Sequence, residues 1–163
     1  MGREVRKVPA DWQHPKRDGE YVALFDGAEL KDAIDGWKKD ELAWNRHEYP
    51  ENANAEDRKQ NYDEWAGKCP SEDDYMPAWT DAERTHLMMY ETTSEGTPIS
   101  PAFETPEQLA RWLADNGASA FGYSTASYEA WLRVAGGGYA PSAMYSPQTG
   151  LISGVGALSV LPA

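Results

Sequence analysis

Between Tyr90 and Pro101 the chain reads Tyr-Glu-Thr-Thr-Ser-Glu-Gly-Thr-Pro-Ile-Ser-Pro, with almost no apolar side chain to bury. A stretch like this cannot supply core, so any fold must be assembled from the segments on either side of it. Each X-Pro bond biases the residue before it, Thr97 and Ser100, toward extended backbone, and Gly96 is free to take positive φ. The expected product is a stiff loop rich in hydrogen-bonding groups, and such loops carry binding more often than packing. A solvated connector is the plainer alternative, because Thr, Ser, Gly and Pro are also ordinary turn residues.

The segment that follows carries the best local signal in the chain. Thr105 reads as an N-cap, with Pro106 at N1, Glu107 at N2 and Gln108 at N3. Leu109, Trp112 and Leu113 then form a buried stripe, and Asn116-Gly117 stops the helix. A second helix is predicted over 127–135, with Tyr128, Trp131 and Leu132 on one side and Gly136-Gly137-Gly138 at its end. Upstream, 29–46 and 55–66 read as helices and 20–25 as a strand closed by Asp26-Gly27. Thr80 and Glu83 form a capping-box pattern that predicts a helix from Asp81 to about Tyr90. Residues 118–123, 150–153 and 157–161 read as short strands, with 146–163 alternatively a loosely ordered tail. Together these elements predict an α+β fold, a single compact domain with several short helices and a small mainly antiparallel sheet. Segment 28–74, polar and acidic, reads as an insertion or mobile stretch.

Charge narrows the partners. The 163 residues carry a net charge of −12, and residues 1–100 hold 13 Lys/Arg against 23 Asp/Glu. This sign repels nucleic acid and anionic membrane at long range, so neither is expected as a direct partner. It leaves an ordinary soluble surface, a basic protein partner, or mimicry of a phosphate backbone. Acids interspersed with lysines, as in Asp32, Asp35, Lys38, Lys39, Asp40 and Glu41, weaken the mimicry reading. Cys69 is the single cysteine, which excludes an intrachain disulfide and a cysteine-rich zinc site and suits a reducing cytoplasm. No secretory signal and no apolar run of membrane-spanning length is present. A homo-oligomer stays open.

Candidate chemistry is sparse. On the predicted helix, Glu83, His86 and Tyr90 would share a face, a set suited to general acid–base work or to a plain hydrogen-bonded histidine. His14 and His47 are isolated in sequence, and no His-x-x-x-His pair, Gly-x-Ser-x-Gly or phosphate-loop motif occurs. The ligand-binding set read from the sequence is therefore Trp79, His86, Tyr90, Thr92, Thr93, Ser94, Glu95, Thr97 and Ser100. Phe103, Tyr123 and Tyr128 could add a stacking wall, although large aromatics more commonly build core. No catalytic residue, metal ligand or cofactor is assigned.

The words Gly2-Arg3-Glu4-Val5-Arg6, Pro9 to Pro15, Tyr75-Met76-Pro77-Ala78-Trp79 through Pro101, Glu107 to Asn116 and Ala140-Pro141-Ser142-Ala143 resemble a group of small acidic accessory proteins of tailed bacteriophages and prophages. The resemblance leaves 28–74 and the tail after Tyr145 unmatched and brings no functional residue with it. It implies an accessory gene expressed in the cytoplasm of a bacterial host, in a class that often counters host defence. The leading expectation is non-enzymatic sequestration of a small polar or nucleotide-like molecule, plausibly in counter-defence. The alternative is an acidic inhibitor that blocks a basic groove of a host defence nuclease, of the anti-CRISPR or anti-restriction type. An enzyme using His86 and Glu95, and a virion or assembly component, are further readings.

Overall fold

The computed structural model describes residues 2–92, 96–146 and 150–157. The elements run β1 (Arg3–Val8), β2 (Lys16–Arg17), β3 (Glu20–Tyr21), α1 (Leu30–Asn45), α2 (Tyr62–Ala66), β4 (His86–Glu91), α3 (Pro106–Asp115), α4 (Tyr128–Gly137), β5 (Tyr139–Ala140), β6 (Ala143–Ser146), β7 (Gly150–Ser153) and α5 (Gly154–Ala157). The class is α+β, and among the described residues every sheet is small and antiparallel. The chain divides into two compact units, one of residues 1–24 and 79–163 and one of residues 25–78. The second unit is wider at each end than the 28–74 segment singled out from the sequence.

The first unit is built on a three-stranded sheet of order β4-β1-β5. Strand β1 pairs with β4 from Arg3↔Glu91 to Val8↔His86. Alternation along these strands sends Val5, Leu87 and Met89 toward the two long helices of this unit. There they meet Leu109, Ala110 and Leu113 of α3 and Ala130, Trp131 and Val134 of α4, all buried. The other face holds Val8, Met88 and Tyr90, buried as well. Arg3 is buried beside this sheet and fully engaged: its guanidinium donates to the Ser119 carbonyl, the Ser119 hydroxyl and the Gly2 carbonyl, and pairs with Glu91 across the strands at 3.2 Å.

Helix α3 has the start that its sequence specifies. The Thr105 hydroxyl accepts from the Gln108 N–H at 3.2 Å, the Gln108 side chain reciprocates at 3.3 Å, and Pro106 occupies the first turn. Helix α4 ends on Gly138 in the left-handed region, at φ 84°. The downstream half of the 90–101 segment is extended, as its prolines require, but the expectation that this stretch supplies no core is corrected: Tyr90 is fully buried and Ile99 packs against the apolar cluster. The extended half runs antiparallel beside β4, with Ile99 N–H donating to the Met89 carbonyl at 2.8 Å and Glu91 N–H to that of Thr97 at 2.9 Å. Gly96, at φ 49°, lets this segment approach Leu24 so closely that a Cβ would collide with the Leu24 carbonyl.

Further expectations are corrected. The Thr80–Glu83 capping pattern forms, with Thr80 N–H and hydroxyl both donating to the Glu83 carboxylate at 2.8 and 2.7 Å, but it closes a turn and no helix follows. Residues 86–91 form strand β4 instead. His-Leu-Met-Met-Tyr is apolar on both faces, a pattern that suits a doubly buried strand as well as a helix, and pairing with β1 decides between them. Residues 118–123 are not a strand: only an isolated bridge joins Phe121 to Ser124. Strand 20–25 is limited to Glu20–Tyr21, closed by an Asp18-Gly19 turn in which both residues take positive φ. Of the 157–161 strand reading, Ala157 ends α5 and 158–161 lie outside the described residues.

The unit of residues 25–78 closes its own neck, with Phe25 N–H donating to the Asp74 carbonyl and Met76 N–H to that of Phe25, each at 2.9 Å. Helix α1 packs on α2 through aromatic rings more than aliphatic ones. Trp44 is the buried centre, stacked on Trp65 with centroids 4.8 Å apart and edge-on to Tyr49 at 4.9 Å. Its indole N–H donates to the Gln60 carbonyl at 3.1 Å, so burying the ring leaves no polar atom unpaired. The predicted helix over 55–66 appears as a 3-10 turn at Asp57–Lys59 and then α2, capped by Asn61 and Glu64. Among the described residues no helix is long and apolar enough to cross a membrane.

Candidate functional site

A half-open cleft of about 540 Å³ lies in the first unit, within the usual size range of small-ligand sites. Its walls come from three segments that are remote in sequence. The stretch before β2 supplies Trp12, Gln13 and His14, and the β2–β3 hairpin supplies Lys16 and Tyr21. Met88 of β4 and the extended segment 98–101 face them, and Trp112 of α3 adds a further aromatic edge. Lys16 lies over the Tyr21 ring, 4.4 Å from its centroid. Among the described residues no Asp or Glu lines it, in a chain of net charge −12.

Behind this wall a hydrogen-bond chain fixes the protonation of two residues. His14 Nε2 lies 2.6 Å from the Val22 carbonyl, which can only accept, so Nε2 carries the proton. In neutral His14, Nδ1 is then an acceptor, and the Tyr90 hydroxyl donates to it at 3.1 Å. The Trp12 indole N–H in turn donates to the Tyr90 oxygen at 3.2 Å. Burial pushes the His14 pKa down; the bond to Val22 opposes this and the nearby Arg6 charge reinforces it. Burial likewise pushes the Tyr90 hydroxyl up to about 12. The Arg6 guanidinium caps the Tyr90 ring at 4.5 Å and donates to the Leu24 carbonyl at 2.6 Å. Two aromatic walls of the cleft are thus held by a buried polar network, in which Arg6 also pairs with Glu4 and the Tyr90 hydroxyl lies 3.5 Å from the Met88 sulfur.

The residues singled out from the sequence are dispersed. Ser100 lines the cleft, but its hydroxyl accepts from the Met89 N–H at 2.9 Å and donates to the Pro101 carbonyl at 2.8 Å, so it fastens the wall. Tyr90 is fully buried behind the cleft, and Trp79 packs edge-on against Trp12 at 4.7 Å. Thr92 is buried where its N–H meets the Gly2 carbonyl, and Thr97 pairs with Glu91 through its backbone. Thr93, Ser94 and Glu95 lie outside the described residues. His86 sits at the start of β4, its Nδ1 2.9 Å from the Thr85 hydroxyl. Tyr90 lies four residue steps along the strand from His86, roughly 13 Å at about 3.3 Å per residue, so the expected Glu83–His86–Tyr90 set is not assembled. Phe103 packs near Trp112, Tyr128 lies beneath Arg111, and Tyr123 is fully exposed, so no shared stacking wall forms from them.

The residues missed are Trp12, His14, Lys16, Tyr21 and Trp112. A signal was present: in an extended segment Trp12, His14 and Lys16 alternate onto one side. Trp112 was read as core, yet it is only half-buried because the cleft opens beside it. Among the described residues no three His, Cys, Asp or Glu side chains converge as metal ligands. No family model, curated protein or solved structure matches the chain.

Proposed function

We propose that the protein binds and sequesters a small polar, nucleotide-like anion in the Trp12–Lys16–Tyr21–Trp112 cleft without transforming it. The observation that carries this reading is a local reversal of charge: a strongly acidic chain builds a cleft whose described lining residues include a lysine and no carboxylate. Trp12, Tyr21 and Trp112 offer ring surface to a base, and Lys16 offers a cation to a phosphate or carboxylate. A binding role is supported over a catalytic one because His14 has both ring nitrogens engaged and the Tyr90 hydroxyl is buried and held far from neutral titration. Neither group is free to exchange a proton with a ligand. With the resemblance to phage accessory proteins, the reading becomes removal of a host-made signal or metabolite in the bacterial cytoplasm.

Native mass spectrometry of protein purified from bacteria should show a retained small molecule. Titration with adenosine 5′-monophosphate, followed by tryptophan fluorescence, should give saturable binding. Lys16→Gln and Trp112→Ala should each weaken it about tenfold, near 1.4 kcal/mol. A preparation without retained molecule that is also indifferent to the nucleotide overturns the reading, as does a Lys16→Gln variant that binds normally.

A second reading rests on a different observation. Residues 25–78 hold seven Lys/Arg against fifteen Asp/Glu, so −8 of the total −12 falls on this unit. That concentration suits an inhibitor of a basic groove on a host defence nuclease. Reversal of acids across 29–74 should then abolish inhibition and flatten its salt dependence, while Lys16→Gln leaves it intact.

A further inference from the structure

The unit of residues 25–78 contains a recess of about 420 Å³ that the cleft reading does not use. Its lining includes the rings of Trp44, Tyr49, Tyr62 and Trp65 and the carboxylates of Asp40 and Glu48. Trp44 is buried at the back, while Tyr49, Tyr62 and Trp65 are half-buried around it. Trp44 and Trp65 lie nearly parallel, 26° apart at 4.8 Å, and the two tyrosines are tilted against them. Tyr49 stands at 85° to Trp44 and Tyr62 at 55°, with centroids 4.9 and 5.8 Å away, and Tyr62 is tilted 42° to Trp65 at 6.1 Å. All four rings border the one recess, and among the described residues no lysine or arginine lines it.

We propose that this recess is an aromatic cage that binds an organic ammonium ion, with its alkyl groups against the four rings and its charge facing Asp40 and Glu48. Ring faces are negative and attract a cation, and they offer no lone pairs of the kind a primary ammonium or guanidinium requires for its N–H groups. An alkylated ammonium carries its charge on C–H surface and loses little on entering such walls. A cation already sits on one of these rings, with the Arg58 guanidinium 5.2 Å from the Tyr49 centroid. The surroundings are negative too: Asp40 and Glu41, after burial, raise the Tyr62 pKa. The net charge of this unit would draw a cation toward the opening. The cage is independent of the anion cleft, which lies wholly among residues of the other unit.

The test is a titration of the full chain with choline and with its neutral isostere 3,3-dimethyl-1-butanol, read from the indole N–H resonances of Trp44 and Trp65. Choline should shift both saturably, and the neutral isostere should bind at least tenfold more weakly. Asp40→Asn combined with Glu48→Gln alters exposed carboxylates without touching the ring packing, and should weaken choline at least fivefold while the spectrum stays folded. Trp65→Ala should abolish binding. A peptide bearing trimethyl-lysine separates the two sources of this chemistry: tighter binding than choline assigns the cage to a modified protein side chain, and equal binding assigns it to a free amine. Equal affinity for choline and the isostere, shifts confined to other residues, or no saturation overturns the proposal.

Discussion

The two units of this chain are stabilised in different ways. The first buries Met89, Leu109, Leu113, Trp131, Val134 and Val155 completely, and its helices and sheet share one continuous apolar cluster. The second, residues 25–78, buries Trp44, Ala53 and Met76 and otherwise relies on half-buried rings; the indole N–H groups find backbone carbonyls, Trp37 at Gly67 and Trp44 at Gln60. It also carries twice the net negative charge of the first in about half the residues. Self-repulsion and a thin core both reduce stability. The contrast teaches that a scaffold with a continuous apolar core can carry a cleft on its surface, whereas an aromatic-rich acidic unit leaves its rings partly open to solvent.

The sharpest way to break this comparison is to truncate the central tryptophan of each unit. Trp131→Ala should cost about 3–5 kcal/mol in urea unfolding, the usual range for a buried aromatic. Trp131→Phe should cost far less, because the Trp131 indole N–H has no hydrogen-bond partner among the described residues and the ring volume is largely kept. Trp44→Ala should cost less than about 3 kcal/mol, since half-buried neighbours can close over the gap. Equal losses for the two alanine variants would erase the distinction.

Gly96→Ala tests whether the first unit is as tightly specified at its edges as in its core. A side chain at positive φ that also collides with the Leu24 carbonyl should cost about 1–3 kcal/mol in the same assay. A neutral result would show that the 96–101 segment is free to move away.

Hydrogen exchange sharpens the comparison without mutation. Amides of α3 should exchange at least about tenfold more slowly than those of α2, because α3 is anchored in the shared core and α2 is a short exposed helix. Equal protection would show the acidic unit to be as stable as the scaffold.

The smallest effect concerns pH. The His14 pKa is lowered in the folded state, so the unfolded chain binds more protons once pH falls toward the ordinary value of 6.5. Stability of the first unit is therefore full above that value and declines as pH drops through 6.5 to the folded pKa, levelling off below it. His14→Gln should remove this dependence. A decline that survives the substitution assigns it to another group.

Parts of both fold and site were legible before the structure. The Thr105–Gln108 capping box and its proline specify α3 because every group involved lies within one turn. The positive φ of Gly96 and the extended backbone before Pro98 were readable for the same reason. Residues 86–91 were not, since their two-sided apolar pattern fits either helix or strand. Trp112 was legible as part of a helical stripe but not as half-exposed, because exposure depends on what fails to pack beside it. His14 was passed over as an isolated histidine: its partner Tyr90 is 76 residues away.

Caps, turns, the charge balance and the acidic character of 28–74 are local or additive quantities, so the amino-acid order alone determined them. The pairing of β1 with β4, the seating of Tyr90 between Trp12 and His14, and the convergence of Trp12, Lys16, Tyr21 and Trp112 on one cleft were decided only by tertiary structure. Each of these depends on which distant segment offers the burial and the hydrogen bonds that offset the entropy of bringing them together. No periodicity or motif within a short window encodes that choice.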